Sequence, residues 1–419
     1  MTQLDGTLSE LAKLRSGSEP IVSLYLDTRW SDEHQRERVR LFVQEKIRKT
    51  LGHYADGTPG KEGLERTLRK IQDFVSGLTG QVYEKEKSGL ALFACESSGL
   101  WRTLFFARPF RPELCTDGFP HLTQLARLAD DFEPAIVVAP SQAGADIFHV
   151  SLGDLALESH LRGFVPRQEE DQFNSGSGRP GQHYYERQSK DERHQEAFVQ
   201  KNRKAAVQEV QAVFDHNPGC HLVLVGPSET VAAFERELPE RLREQVIARI
   251  PRPRQWDNGD GVRADGVVAG AAEAVADHEK QKEQQVIDAV VGQSLRGGLA
   301  VMGPDDVVEA LNQGRVHKLV LEEDFTLTGW RCDNCDAIGA NAETQEVCPY
   351  CRGDLKVLQH LGEAMVTRAL AEGAEVEIVA HANKLHSYRS VGAFLRQTAQ
   401  TGLRGASQPW PSAPGASQS

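Results

Sequence analysis

The spacing Cys332-x2-Cys335-x12-Cys348-x2-Cys351 constrains what this chain can fold into more than any other feature. Each Cys-x-x-Cys turn brings two thiolates to one side of a tight knuckle, and two knuckles complete a tetrahedral S4 site suited to Zn2+. Asp333, Asn334, Pro349 and Tyr350 fill the turns between the thiols. Nothing nearby offers an open position for water, so the zinc is expected to be structural rather than catalytic. The competing reading is a reduced cluster without metal. Cys95, Cys115 and Cys220 stand alone and read as buried small hydrophobes rather than reactive thiols. Seven cysteines in 419 residues do not make a disulfide scaffold.

The cysteine insert interrupts an alternating pattern. A strand over 299–302, a helix over 305–312 stopped by Gly314 and a strand over 318–321 precede it. A helix around 361–371, a strand over 376–379 and an apolar run over 391–395 follow it. We expect a compact α/β/α layer over 279–402 with the knuckle inserted in it.

Upstream, residues 1–129 read as an α/β domain. They hold a strand at 21–26, a helix with Val39, Phe42, Val43, Ile47 and Leu51 on one face, and a Gly/Pro-rich tip over 52–63. A second helix follows with Leu64, Leu68, Ile71 and Val75 at helical spacing, then strands at 90–95 and 101–107. The first helix carries Arg36, Arg38, Arg40, Lys46, Arg48 and Lys49 on its other side. That basic face fits RNA or, equally, a solvated amphipathic helix. Residues 130–278 read as a βαβ-type sheet domain: strands at 135–139 and 145–150, a polar loop over 168–186, a long helix over 189–215, a strand at 221–226 and a helix over 229–245. An Ala- and charge-rich helix over 266–290 connects to the third block. Residues 403–419 are Gly, Ala, Ser, Pro and Gln, and a disordered tail is expected there. The overall class is α/β (α+β).

Composition narrows the function classes. With 39% hydrophobic and 26% charged residues the chain can pack cores, which excludes wholesale disorder. A net charge of -12 argues against a DNA-coating protein, although a local basic patch inside an acidic whole can still meet RNA. No stretch approaches the roughly 20 apolar residues of a membrane span, and residues 1–13 lack the apolar core of a signal peptide. A cytoplasmic protein with no membrane or DNA partner is expected. No Ser-His-Asp arrangement, GxSxG elbow, HExxH or P-loop is visible. His34, His121 and His386 lack ligand-like spacing and read as surface or packing residues.

The loop Asn174-Ser-Gly-Ser-Gly-Arg-Pro-Gly-Gln182 formally satisfies GxGxxG through Gly176, Gly178 and Gly181. A dinucleotide fingerprint must follow a buried strand, whereas Glu169, Glu170, Asp171 and Gln172 precede this loop. By composition alone it is a surface loop. Its sequel is a helix bearing Arg187, Lys190, Arg193, His194, Lys201, Arg203 and Lys204. A glycine loop on a basic stem suits entry into an RNA cavity, where phosphates must be neutralised.

Taken together and in this order, these blocks resemble the archaeal and eukaryotic class-1 peptide-chain release factors and their relative Pelota, and more narrowly the bacterial members of that superfamily. Ile21-Val-Ser-Leu-Tyr-Leu26 with its helical hairpin is similar to the codon-facing domain. Gly178-Arg-Pro-Gly-Gln182 falls where the family has Gly-Arg-Gly-Gly-Gln, and Glu186-Arg-Gln-Ser-Lys-Asp-Glu-Arg-His194 resembles the helix behind that loop. His221-Leu-Val-Leu-Val-Gly226 resembles the next strand. Residues 299–321 and Gly373-Ala-Glu-Val-Glu-Ile-Val379 resemble the partner-binding domain, whose knuckle is similar to that of archaeal members. Pro180 replaces the family's first loop glycine and removes an N–H. The family's codon-reading Asn-Ile-Lys-Ser tip is absent from 52–63.

The resemblance implies a three-domain release-factor-like architecture that enters the ribosomal A site. Gly181 and Gln182 would be the catalytic pair, facing the peptidyl-tRNA ester. The Gln182 backbone N–H would stabilise the developing negative charge, and its side chain would place or restrict the attacking water. Arg179, Arg187, Lys190, Arg193, Lys201, Arg203 and Lys204 would contact RNA. The implied partners are the ribosome, through rRNA and P-site peptidyl-tRNA, and a translational GTPase. With the codon tip altered, ribosome rescue is favoured over ordinary termination. Two alternatives remain: a non-catalytic, ribosome-binding hibernation factor in which Pro180 marks lost hydrolysis, and an RNA adaptor acting away from the ribosome.

Overall fold

The computed structural model describes residues 3–17, 19–30, 33–54, 60–80, 84, 87–131, 134–151, 154–162, 182–217, 219–251, 264–341, 345–380 and 384–396. The chain divides into two compact units. One spans 131–279; the other joins 2–130 to the segment from 280 onward.

The N-terminal part of the second unit runs α1 (Gln3–Ala12), β1 (Ile21–Asp27), α2 (Glu33–Gly52), α3 (Lys61–Thr79), β2 (Gly89–Cys95), β3 (Leu100–Phe106), β4 (Glu113–Asp117) and α4 (Thr123–Asp131). The sheet order is β3-β2-β1-β4, and β1 pairs antiparallel with both β2 and β4. β1 is buried from Ile21 to Leu26 because both faces of the sheet are covered, and its one polar residue there, Ser23, is hydrogen-bonded. Val22, Leu24 and Leu26 face the helical hairpin, packed with Val39, Val43 and Ile47 of α2 and Leu64, Leu68, Ile71 and Val75 of α3. Each such burial contributes about 2 kcal/mol. On the other face Tyr25 sits edge-on to Phe93 and Phe110. The ends of the expected 52–63 tip are helical: Gly52 closes α2, and Lys61 opens α3 behind Gly60, whose φ of 82° a glycine tolerates. Residues 55–59 lie outside the described residues.

The first unit runs β5 (Ala135–Pro140), β6 (Gly144–Ser151), β7 (Asp154–Arg162), α5 (Gln182–His216), β8 (His221–Val225), α6 (Ser228–Glu237), α7 (Glu240–Arg243) and β9 (Val246–Ile250), then the start of α8 (Ala264–Leu295). The sheet order is β7-β6-β5-β8-β9, with β5, β8 and β9 parallel. α5 and α6 cover one face through Ala206, Val210, Val231 and Phe234, and Ala271 and Val275 of α8 cover the other. Burial pushes the Cys220 thiol up to about 11, so it is inert at neutral pH.

Two expectations need correction here. The single helix over 229–245 is broken: Leu238 is extended at ψ 138° because Pro239 disfavours a helical residue before it, and only one turn follows. The long helix starts at Gln182 rather than 189, so the last five residues of the expected polar loop are helical.

The C-terminal part of the second unit continues from α8 into β10 (Ala300–Met302), α9 (Pro304–Asn312), β11 (Val316–Glu322), β12 (Gly329–Cys332), β13 (Ile338–Ala340), β14 (Leu355–Leu358), α10 (Leu361–Ala371), β15 (Glu375–Val379), a 3-10 turn (Lys384–Tyr388) and β16 (Val391–Leu395). Its main sheet has the order β10-β16-β11-β15, and the cysteine insert forms its own sheet, β13-β12-β14. The expected tail over 403–419 lies outside the described residues.

Polar contacts fasten the N- and C-terminal parts of this unit together. Glu363 of α10 accepts hydrogen bonds from the Leu122 and Thr123 N–H groups, at 2.8 and 3.1 Å. A carboxylate thus meets the positive end of α4. Thr367 Oγ1 donates to the Pro120 carbonyl at 3.0 Å, and the Ile378 N–H donates to Asp130 at 3.2 Å. Within the C-terminal sheet, Lys318 Nζ lies 3.0 Å from both Glu375 and the buried Glu377. Burial works to lower the Lys318 pKa, but the two carboxylates raise it overall. The pair's contribution is complete below the ordinary lysine value and is lost only as pH rises through the raised one. Lys318→Met should therefore lower stability at neutral pH by about 2 kcal/mol, because it leaves a buried carboxylate without its ammonium. Urea unfolding checks this; an unchanged midpoint would mean that Glu377 does not depend on Lys318.

Candidate functional site

The four cysteines converge. Their sulfurs lie within 4.8 Å of one another. Cys332 and Cys351 Sγ are 3.4 Å apart, and Cys335 and Cys348 Sγ are 3.5 Å apart. A tetrahedral thiolate site with metal–sulfur bonds of about 2.3 Å has sulfur–sulfur edges of about 3.8 Å, so the cage has nearly the right size.

The two knuckles repeat one backbone design. The Asp336 N–H donates to the Cys332 carbonyl and the Arg352 N–H to the Cys348 carbonyl, at 3.1 and 2.9 Å. Asp336 and Arg352 take matching left-handed φ values of 59° and 60°. The Asn334 and Gly353 N–H groups each donate to a sulfur, Cys332 and Cys351 respectively, at 3.4 Å. Gly353 has no room for more: a Cβ there would lie 3.3 Å from both of those sulfurs and 2.9 Å from Asn334 Cβ. The Asn334 side chain and the Gly353 N–H draw the Cys351 thiol down to about 6. Burial pushes Cys335 up. Four thiolates this close repel unless a cation lies among them, so the donor set fits a metal ion.

Charged residues that the sequence reading did not single out hold the knuckle in place. Asp336 accepts from Arg15 Nε at 3.0 Å and from Arg331 Nε, while Arg368 donates to the Asp336 carbonyl at 2.7 Å. Burial works to raise the Asp336 pKa, but Arg331 and Arg15 bring the carboxyl below its ordinary value. Arg15 belongs to the segment after α1, so this cluster also joins the knuckle to the N-terminal part of the unit.

The glycine loop presents differently. Arg179, Pro180 and Gly181 lie outside the described residues. Gln182 opens α5, a helix of 35 residues and about 52 Å. The N–H groups of a helix's first turn have no acceptor within the helix, and they carry the positive end of its dipole. A negative oxygen is favoured there. The side chains of Gln182, Arg187, Lys190 and Arg193 lie outside the described residues, but their helical positions are fixed. At about 100° per residue, positions 187, 190, 193, 201 and 204 share an arc of about 120°. Asn202, Ala206, Val210 and Val213 occupy the opposite side, toward the sheet. Lys201 and Lys204 are exposed. Arg203 is half-buried and falls beside the buried side, off the basic arc. The buried Asn202 anchors the stem, donating from Nδ2 to the Gln142 carbonyl at 3.2 Å. A buried amide between basic neighbours was the one sequence sign of that anchor.

The α2 face is laced with local partners. Lys49 pairs with Glu45 at 2.6 Å, Arg38 donates to Gln35, Arg40 reaches Thr79 at 2.9 Å, and Lys46 lies over the Phe42 ring. These contacts favour the solvated-helix reading of that face. Among the described residues no helix is long and apolar enough to cross a membrane.

Fold and site together define a mixed α/β protein with a long basic stem helix in one unit and a thiolate cage in the other. Residues 120–274 match the family model of the bacterial archaeo-eukaryotic release factor family 10. That segment is similar to this bacterial family; the remainder of the chain lies outside the match. No curated protein matches the chain. Among solved structures, the archaeal translation termination factor aRF1 is 18% identical, with 94% of this chain and 97% of that one covered and a TM-score of 0.25. Saccharomyces cerevisiae Dom34, a translation termination-like factor, is 12% identical over 74% and 79%, with a TM-score of 0.37. A ribosome-bound archaeal Pelota with ABCE1 is 12% identical over 94% of each chain, with a TM-score of 0.40. At these scores the structural likenesses carry no argument of their own, and the similarity to the family is confined to residues 120–274.

Proposed function

We propose that this protein is a cytoplasmic, three-domain ribosome A-site factor that promotes hydrolysis of the peptidyl-tRNA ester, in rescue rather than ordinary termination. The observation that carries the reading is the family match over 120–274, because that segment contains Gly181, Gln182 and the whole of α5. The start of α5 at Gln182 supports it physically. A backbone N–H in the first turn of a long helix is a preorganised donor for a developing oxyanion. Gly181 would let the backbone approach the ester closely, and the Gln182 side chain would restrict the attacking water. RNA would supply the remainder of the site, so no protein nucleophile is required.

The basic arc of α5, with Arg179, would neutralise rRNA phosphates along the stem. Zn2+ in the four-cysteine cage would be structural, fixing the C-terminal part. That part resembles the family's partner-binding domain, which makes a translational GTPase the candidate protein partner. Pro180 favours one second reading, a hibernation factor that occupies ribosomes without hydrolysis.

Ribosome co-sedimentation tests the shared part of both readings. The wild-type protein should pellet with ribosomes in a salt-sensitive manner. Charge reversal at Arg193 and Lys201, both on the basic arc, should weaken binding and flatten its salt dependence. Equal binding by mutant and wild type at two salt concentrations would return these residues to a solvated helix face. Absence of the wild-type protein from the ribosomal pellet would favour an RNA adaptor instead.

A further inference from the structure

Cys115 and His121, which the sequence presents as isolated packing residues, meet in the N-terminal part of the second unit. A ring nitrogen of His121, Cys115 Sγ and a carboxylate oxygen of Glu113 lie within 4.8 Å of one another. The His121 side chain is only 3% exposed. Its Nε2 faces Asp117 Oδ2 at 3.4 Å, while its Nδ1 is buried with no hydrogen-bond partner. The backbone on both sides of the ring is fixed: the His121 N–H donates to Ser23 Oγ at 3.0 Å, and its carbonyl accepts from the Tyr25 hydroxyl at 2.7 Å. Phe119 stacks on the imidazole at a centroid distance of 5.8 Å. Cys115 Sγ is 3.3 Å from Glu113 Oε1, and Gln124 Nε2 donates to Glu113 Oε2 at 2.6 Å.

A rigid imidazole with an orphaned buried nitrogen needs a partner. The Asp117 carboxylate at Nε2 orients the ring, which is the usual support of a metal-binding histidine. Thiolate, imidazole and carboxylate form a donor set for zinc-class cations rather than for magnesium or calcium. We propose that Glu113, Cys115 and His121 form a second metal site, separate from the four-cysteine cage. It takes a zinc-class divalent cation through His121 Nδ1, Cys115 Sγ and a Glu113 oxygen, with solvent as the fourth ligand. Binding expels the Cys115 thiol proton to solvent. The site ties β4 to the segment entering α4, next to the Leu122 and Thr123 N–H groups that hold Glu363 of α10. It therefore braces the joint between the N- and C-terminal parts of this unit.

Metal analysis of the full-length protein loaded with Zn2+, and Co2+ spectra of the same samples, test the proposal. Cys115→Ser and His121→Gln should each hold one zinc fewer per chain than wild type. Cys348→Ser should lose a different one, and its Co2+ form should show charge transfer from a single thiolate. Glu113→Gln, isosteric and on a partly exposed strand, preserves the fold and should weaken this site's affinity about tenfold or more. That variant keeps the test decisive if the other two fold poorly. Wild-type zinc content in Cys115→Ser and His121→Gln, or unchanged affinity in Glu113→Gln, would overturn the site. Those outcomes would leave the four-cysteine cage untouched, because Cys348→Ser reads that cage separately.

Discussion

Replacing Gly181 with alanine should lower peptide release by about 100-fold or more, the scale of one lost oxyanion donor, while ribosome binding stays nearly constant. On the proposed function the added methyl would crowd the approach of the backbone to the ester and penalise any conformation with φ > 0. The loss should fall on the release rate and not on the affinity, because the basic arc of α5 is untouched. Gln182→Ala retains the backbone N–H and should cost less. Single-turnover release from ribosomes carrying peptidyl-tRNA separates rate from binding. A Gly181→Ala protein that releases as fast as wild type would remove the loop from the chemistry.

The second large effect is expected at the knuckle. Cys348 is fully buried, and its N–H is tied to the Gly353 carbonyl at 3.0 Å. If the cage holds zinc as proposed, Cys348→Ser should abolish metal binding there and melt the small β13-β12-β14 sheet, because metal binding would be coupled to local folding. Trp330 reports the change: it is 6% exposed and belongs to the same buried cluster as Cys332 and Cys348. Its fluorescence should shift toward that of a solvated indole, and a new transition should appear below the main melt. The Arg15–Asp336 contact should loosen with the knuckle. Full zinc occupancy with an unchanged melt in the variant would defeat this expectation.

Much of the fold was legible because local periodicity and burial agreed. Leu64, Leu68, Ile71 and Val75 recur at helical spacing and are all buried in one core. The cage was legible because Cys-x-x-Cys turns act locally and need only one long-range closure. What the sequence hid depended on distant partners or on weak patterns. β7 was missed because Glu158, Ser159 and His160 break its alternation, and its pairing with β6 carries a register shift between Ile147 and Phe148. Pro239 was visible, but the apolar rhythm of Val231, Phe234, Leu238 and Leu242 ran through it, and Pro239 won at Leu238. The Glu363 cap on α4 spans 240 residues of sequence, and no local pattern encodes it. Likewise, Glu113, Cys115 and His121 lack motif spacing; β4 and the following turn bring them together.

Peptide release from ribosomes loaded with peptidyl-tRNA tests the central claim most directly, with wild type, Gly181→Ala and Pro180→Gly side by side. The account predicts release by the wild-type protein, loss of it in Gly181→Ala, and little change in Pro180→Gly, since the loop then works as it stands. Release by neither wild type nor Pro180→Gly, with both bound tightly to vacant ribosomes, would contradict the hydrolytic role and leave a factor that occupies ribosomes without acting on the ester.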